Sequence, residues 1–229
     1  MTDPVLLITG ASSGIGEETA RHAVRAGYRV VIAARRQERL DALARELGGP
    51  DKTLALGCDV TDEASQKTLV KRSLEHFGRL DAVFANAGRG GSPGGFAEAD
   101  PASWKDLVLT NIYGVALTIQ ATLPALKESE GHIILTGSAA GRATIPGSMY
   151  SASKWAVTGI GYNLREELRG TGIRVTLLEP GVVDTPFFDQ TPEQYMLPED
   201  IAAAVLYALS QPKRVDVNEI LIRPTPLKA

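Results

Sequence analysis

Val5-Leu6-Leu7-Ile8-Thr9-Gly10-Ala11-Ser12-Ser13-Gly14-Ile15-Gly16 is the stretch that decides the fold. Its four leading apolar residues read as a strand buried on both faces. Beyond it, Ile15, Thr19, Ala23 and Ala26 fall at helical spacing, and Gly27 ends the run. A strand, a glycine turn and a helix opening on that turn form a phosphate site. Gly10, Gly14 and Gly16 permit close backbone approach, and the helix N-terminus presents free N–H groups and a positive dipole end. Ser12, Ser13 and Ile15 lie inside the same loop. The spacing is Gly-x-x-x-Gly-x-Gly, and a bare glycine pattern also describes ordinary turns. Its place, after an apolar strand and before a helix, favours a dinucleotide.

Outward from this loop the chain alternates. Strands are predicted at residues 29–34, 53–56, 80–85, 132–136, 174–178 and 219–222. Helices are predicted at 38–47, 62–77, 104–126, 149–168 and 198–209. Such alternation predicts right-handed crossovers and a Rossmann-like, doubly wound α/β fold, with a parallel sheet of about seven strands and helices on both faces. The stretch Arg89-Gly90-Gly91-Ser92-Pro93-Gly94-Gly95 reads as a loop. No linker or repeat divides the 229 residues, so one domain over 1–229 is expected, with a substrate loop and possible lid near 186–197.

Composition narrows the partners. Lys+Arg 24 against Asp+Glu 27 leaves a net charge of −3, which gives no electrostatic case for nucleic acid or an anionic membrane. The start has no basic segment before an apolar run, and no apolar run approaches the ~18–20 residues of a membrane span. A cytoplasmic protein is the expectation. Cys58 stands alone, which excludes an internal disulfide, and reads as a small buried apolar residue. His22, His76 and His132 are scattered, so no metal site is expected. Trp104 and Trp155 fall in helical patterns and read as packing.

Two further clusters carry chemistry. The second strand ends Ala33-Ala34-Arg35-Arg36, where a cofactor with a free ribose 2′-hydroxyl would want an acid. A guanidinium suits a 2′-phosphate instead. Arg35 is the stronger candidate, Arg36 a flanking one, and NADP(H) is favoured over NAD. Against this stands a solvated basic start to the next helix, continued by Arg39. The other cluster is Tyr150-Ser151-Ala152-Ser153-Lys154, whose Tyr and Lys lie on one helix face. An ammonium there would draw the phenol pKa down toward neutrality. The pair alone is weak evidence, but Ser138 stands at the end of an apolar strand, where a hydroxyl can donate to a carbonyl oxygen.

With these residues the chain resembles a short-chain dehydrogenase/reductase of the common single-domain type. The likeness rests on residues 9–16, Asp59-Val60, Asn86-Ala87-Gly88, Asn111, Ser138, Tyr150 with Lys154, and Pro180-Gly181-Val182-Val183-Asp184-Thr185, in the family's order. It implies that Tyr150 is the general acid, that Lys154 lowers its pKa and binds the nicotinamide ribose, and that Ser138 polarises the carbonyl. It implies that Asn111 holds a relay water, and that Asp59 and Val60 contact adenine. Asn86, Ala87 and Gly88 would line the cleft, and Pro180, Gly181, Val183 and Thr185 would meet the nicotinamide end. Ser138 precedes Tyr150 by twelve residues, one fewer than is usual in the family. The implied function is NADP(H)-dependent interconversion of a ketone or aldehyde and its alcohol, by a homodimer or homotetramer. The alternative is an NADP-binding sensor or scaffold without useful turnover. An epimerase or dehydratase is disfavoured, since the chain has little room for a nucleotide-sugar domain. Substrate choice falls to residues 89–100, 139–149 and 187–196. There Phe187 and Phe188 form an apolar wall or merely anchor the loop, and Arg142 pairs an acid or faces water.

Overall fold

The computed structural model describes residues 3–188 and 193–226. Seven parallel strands form one sheet in the order β3-β2-β1-β4-β5-β6-β7. They are β1 (Val5–Thr9), β2 (Arg29–Ala34), β3 (Thr53–Gly57), β4 (Ala82–Ala85), β5 (His132–Thr136), β6 (Arg174–Pro180) and β7 (Glu219–Ile222). The crossover helices are α1 (Gly14–Arg25), α2 (Gln37–Glu46), α3 (Glu63–Phe77), α4 (Gly95–Glu98), α5 (Pro101–Val108), α6 (Gly114–Ser129), α7 (Met149–Glu167) and α8 (Pro198–Ser210).

Strand alternation divides the core in two. Val5 and Leu7 of β1, Val31 of β2 and Val83 of β4 face Leu69 of α3, Ile119 of α6 and Val157 of α7. Leu6, Ile8, Ile32 and Phe84 face the other way, onto Ala20 of α1, Leu40 of α2 and Val205 of α8. Because every central strand is covered on both sides, its residues read as continuous apolar runs. The chain winds outward from β1 to β3, then restarts at β4 and winds to β7. The carboxyl ends of β1 and β4 therefore flank a topological switch point, where open α/β sheets hold ligands.

The long helix expected at residues 104–126 departs from expectation. It begins at Pro101, N-capped by the Asp100 carboxylate, and is interrupted by a π-helical turn, Leu109–Tyr113, before α6. The turn rotates Asn111 into the interior, where it is 1% exposed. Wide turns of this kind cluster at functional sites. The helical stretch Pro101–Ser129 is also long and apolar enough to cross a membrane, so the expectation that no segment reached that length is corrected. Its buried residues pack instead into the sheet's core. A short helix, α4, and a 3₁₀ turn, Ala139–Arg142, form where loop was expected.

His132 is buried on β5, with Nε2 2.8 Å from Thr176 Oγ1. The Thr176 hydroxyl gives its own hydrogen to the Val217 carbonyl at 2.6 Å, so it accepts from Nε2–H. Nδ1 is buried without a partner. Burial, with Arg174 nearby, brings the His132 pKa down to about 3. Below pH ~6.5 an unfolded chain binds a proton there that the folded chain refuses, so stability falls as pH drops. Between pH 6.5 and 5 the loss is about 1.6 kcal/mol. Urea unfolding at both pH values should show that loss in the wild type and its absence in His132→Gln.

Candidate active site

A cleft of about 670 Å³ opens at the switch point. Its floor is the loop after β1. Gly10 and Gly14 take left-handed backbone conformations, with φ of 69° and 57°. A Cβ on Gly10 would lie 2.8 Å from Ala87 Cα, and one on Gly16 would lie 2.6 Å from the Gly10 carbonyl oxygen. Glycine is thus required by backbone packing as well as by torsion. Ser13 precedes α1 but its side chain makes no cap hydrogen bond, so the first-turn N–H groups are not satisfied by it. Uncapped amides beside closely packed glycines fit a pyrophosphate. Behind this loop, Thr9 Oγ1 accepts from the backbone N–H of Asn86 and Ala87, each at 3.1 Å, which ties the two central strand ends together.

At the far end of β2 both arginines line the cleft. Their side chains turn to different parts of it. Arg36 Nη2 donates to Ser12 Oγ at 3.0 Å and Ser13 Oγ at 3.1 Å, so Arg36 leans onto the phosphate loop rather than flanking it. Arg35 lies toward Asp59. The Thr61 backbone N–H, at 2.9 Å, does most to hold the Asp59 carboxyl below its usual range; the Thr61 hydroxyl and Arg35 add to it. Val60 and Cys58 complete that wall, and Cys58 is a wall residue that its lone position in the sequence did not reveal. This end of the cleft therefore presents two guanidiniums, with one carboxylate already engaged.

The other end of the cleft gathers Ser138, Tyr150 and Lys154. Ser138 leaves β5 with extended backbone; its Oγ accepts from Ala140 N–H at 3.1 Å and donates to the Pro180 carbonyl at 3.3 Å. Helix α7 begins just before Tyr150 because Ser148 caps it, accepting from Ser151 N–H at 3.0 Å. One turn on, Lys154 Nζ donates to the Thr136 carbonyl at 2.8 Å and stands 5.7 Å from the centre of the Tyr150 ring. Burial pulls the Lys154 pKa down to about 8. Burial also pushes the Tyr150 phenol up, against a smaller lowering by the neighbouring Ser138 hydroxyl. In this geometry desolvation and the Ser138 hydroxyl set the shift of the phenol, and Lys154 adds none. Tyr150 is accordingly a protonated donor at neutral pH.

Asn111 stands behind the cleft rather than in its wall. Its Oδ1 accepts from Arg89 N–H at 2.9 Å, and its Nδ2 donates to the Arg89 carbonyl at 3.0 Å and Ser153 Oγ at 3.1 Å. Those bonds commit both amide hydrogens, so the side chain braces residue 89 against α7. Pro180 ends β6 at the cleft, Gly181, Val183 and Thr185 continue along it, and a Cβ on Gly14 would come within 3.0 Å of Thr185. That approach sets the segment after β6 against the phosphate loop.

Similarity to known proteins agrees with this arrangement. The sequence profile of the family described as short chain dehydrogenase matches residues 4–196. The chain belongs to the short-chain dehydrogenase family. It is 40% identical over 229 residues to an uncharacterized oxidoreductase of Staphylococcus aureus strain USA300, covering 98% of each chain. Among solved structures it resembles an alcohol dehydrogenase from Thermococcus sibiricus complexed with 5-hydroxy-NADP, with TM-score 0.91, 33% identity and 99% and 98% coverage. It also resembles a 3-ketoacyl-(acyl-carrier-protein) reductase from Brucella melitensis complexed with NADH, with TM-score 0.90, 29% identity and 97% and 98% coverage.

The remaining features of this short-chain dehydrogenase are less regular. Phe187 lies over Tyr150, their rings 5.6 Å apart, and packs edge-on against Phe188. Both phenylalanines line the cleft, which favours the apolar wall over a mere loop anchor. The base of their segment is pinned, since Met196 N–H donates to the Val182 carbonyl and Asp184 N–H to the Met196 carbonyl, each at 2.9 Å. Residues 189–192 of the expected substrate loop lie outside the described residues. Arg142 is partly exposed but already paired with an acid of the chain itself. Its Nε lies 2.7 Å from Glu179, a partner no local sequence pattern announces. Trp155 is 48% exposed, and its Nε1–H donates to the Ala143 carbonyl at 3.3 Å. No group of three or more potential metal ligands occurs among the described residues.

Proposed function

We propose that the chain is an NADPH-dependent carbonyl reductase, reversible as an alcohol dehydrogenase. The observation that carries this reading is one cleft with Arg35 and Arg36 beside the phosphate loop at one end and Ser138, Tyr150 and Lys154 at the other. Two of the structural relatives were solved with 5-hydroxy-NADP and with NADH, which supports a nicotinamide cofactor. Gly10, Gly14, Gly16 and the first turn of α1 would hold its pyrophosphate, Arg36 and Arg35 its 2′-phosphate, Asp59 and Val60 its adenosine, and Lys154 its nicotinamide ribose. When bound and reduced, that group supplies a hydride to a carbonyl carbon.

The protein's own groups supply position and the proton. Ser138 Oγ–H turns from the Pro180 carbonyl to the substrate oxygen and orients it. Tyr150 gives its phenolic proton to the same oxygen as negative charge develops there. The Lys154 ammonium steadies the phenolate left behind. Phe187 and Phe188 form the apolar side of the substrate site, which suits a carbonyl carried on an apolar body.

The test is NADPH consumption across a panel of ketones and aldehydes, with the alcohol product quantified beside it. Stoichiometric alcohol for NADPH on at least one apolar carbonyl is the expected result. NADPH binding with no turnover on the whole panel would favour a sensor instead.

A further inference from the structure

We propose that Glu179 is a positioning residue that holds Ser138 in register with Tyr150 and Lys154, an inference that rests on the carbonyl-reductase reading. Glu179 lies in β6 and is 1% exposed. Its Oε1 accepts from Arg142 Nε at 2.7 Å and from Thr158 Oγ1 at 3.2 Å. Arg142 closes the 3₁₀ turn that begins directly after Ser138. Thr158 lies one turn beyond Lys154 on α7, and its hydroxyl also stands 3.2 Å from the Lys154 carbonyl. Ser138 itself donates to the carbonyl of Pro180, the residue after Glu179. One buried carboxylate therefore joins the turn that carries Ser138, the helix that carries Tyr150 and Lys154, and the strand that leads into the cofactor loop.

The fit around it is close. A Cβ on Gly137 would lie 3.0 Å from Glu179 Cγ, and one on Gly141 would lie 2.7 Å from the Lys154 carbonyl oxygen. Arg142 is fixed from outside as well: Nη1 donates to Tyr162 Oη at 2.8 Å, and Nη2 lies 2.7 Å from Glu219 of β7. Arg165 approaches the Tyr162 ring, with its guanidinium 5.8 Å from the ring centre. A buried ion pair adds little net stability compared with apolar residues of the same size. What the single Nε contact supplies, with Nη1 and Nη2 held by Tyr162 and Glu219, is direction. Here that direction sets the turn after Ser138, whose hydroxyl must meet a carbonyl oxygen within a few tenths of an ångström of its ideal place.

The experiment compares wild type, Glu179→Gln and the double variant Glu179→Gln/Arg142→Met, which removes both charges. Steady-state kinetics, NADPH affinity by fluorescence titration, melting temperature and hydrogen exchange of residues 137–143 are read on each. In both variants kcat is expected to fall about tenfold to a hundredfold, as misplacement by an ångström would cause. KM and NADPH affinity should stay within about threefold, and residues 137–143 should lose exchange protection. The double variant separates positioning from stability: its melting temperature recovers relative to the single variant while kcat stays low. Wild-type kcat in the double variant, or kcat losses matched by loss of folded protein, would overturn the proposal. If the wild type reduces no carbonyl yet the variants lose protection at 137–143, the functional reading fails and the positioning stands. If the wild type is active while the variants keep kcat and protection, the positioning fails and the functional reading stands.

Discussion

Tyr150→Phe is expected to lower kcat/KM for carbonyl reduction by about 10²–10⁴-fold, the span typical of a lost general acid. NADPH affinity should be unchanged within about twofold. The substitution removes a single oxygen and keeps the ring that packs 5.6 Å from Phe187, so the wall of the cleft survives. What disappears is the proton donor, and Ser138 is a poor replacement because a hydroxyl of ordinary acidity does not release its proton near neutrality. The pH dependence follows from the two buried groups. Tyr150 is held above the ordinary phenol range by burial and stays protonated through neutral pH. Lys154 carries its charge below about 8 and loses it as pH rises past that value. Loss of that charge removes the counter-ion for the phenolate formed on proton transfer. Reduction should therefore hold steady near neutrality and decline as pH rises through about 8, and the pH profile of kcat/KM in the wild type checks it. The little activity left in Tyr150→Phe should retain the decline that belongs to Lys154 and ribose binding.

Removing both Arg35 and Arg36 is expected to weaken NADPH binding far more than NADH binding. A charged hydrogen bond contributes about 1.5–3 kcal/mol, which corresponds to about tenfold to 150-fold in Kd per contact. The single variants should not be equal. Arg36 is already directed at Ser12 and Ser13 on the phosphate loop, at 3.0 and 3.1 Å. Arg35 sits beside Asp59, whose negative charge competes for it. Arg36→Ala should therefore cost at least as much NADPH affinity as Arg35→Ala, and the double variant should approach equal affinity for the two cofactors. Parallel losses for NADPH and NADH would mean that the arginines brace the loop without reading the 2′-phosphate.

Much of this architecture was legible in the residues, because the strands are buried on both faces and carry uninterrupted apolar runs. Glu219–Ile222 is the predicted final strand, and α7 begins at the predicted Met149. The π turn at Leu109–Tyr113 was not legible. It is held by Asn111 bonding to the backbone of Arg89, twenty-two residues away, and nothing in the local helical period signals that contact. The gathering of the glycine loop, Ser138, Tyr150 and Lys154 followed from strand ends meeting at one edge of a parallel sheet. The division between Arg35 and Arg36 did not, since it depends on which side chain turns back onto Ser12 and Ser13. Arg142 shows the same limit from the other side: its meaning lies in Glu179, thirty-seven residues further on, and in no motif around either residue.

The central claim is that this chain moves a hydride to a carbonyl carbon and a proton from Tyr150 to the carbonyl oxygen. The most direct measurement uses NADPH deuterated at nicotinamide C4, an apolar ketone and mass spectrometry of the product alcohol. One deuterium on the carbinol carbon in the wild type, from one face of the cofactor only, with product formation lowered about 10²–10⁴-fold in Tyr150→Phe, is the expected result. Alcohol formed without the label, or equal labelled product from wild type and Tyr150→Phe, would contradict it.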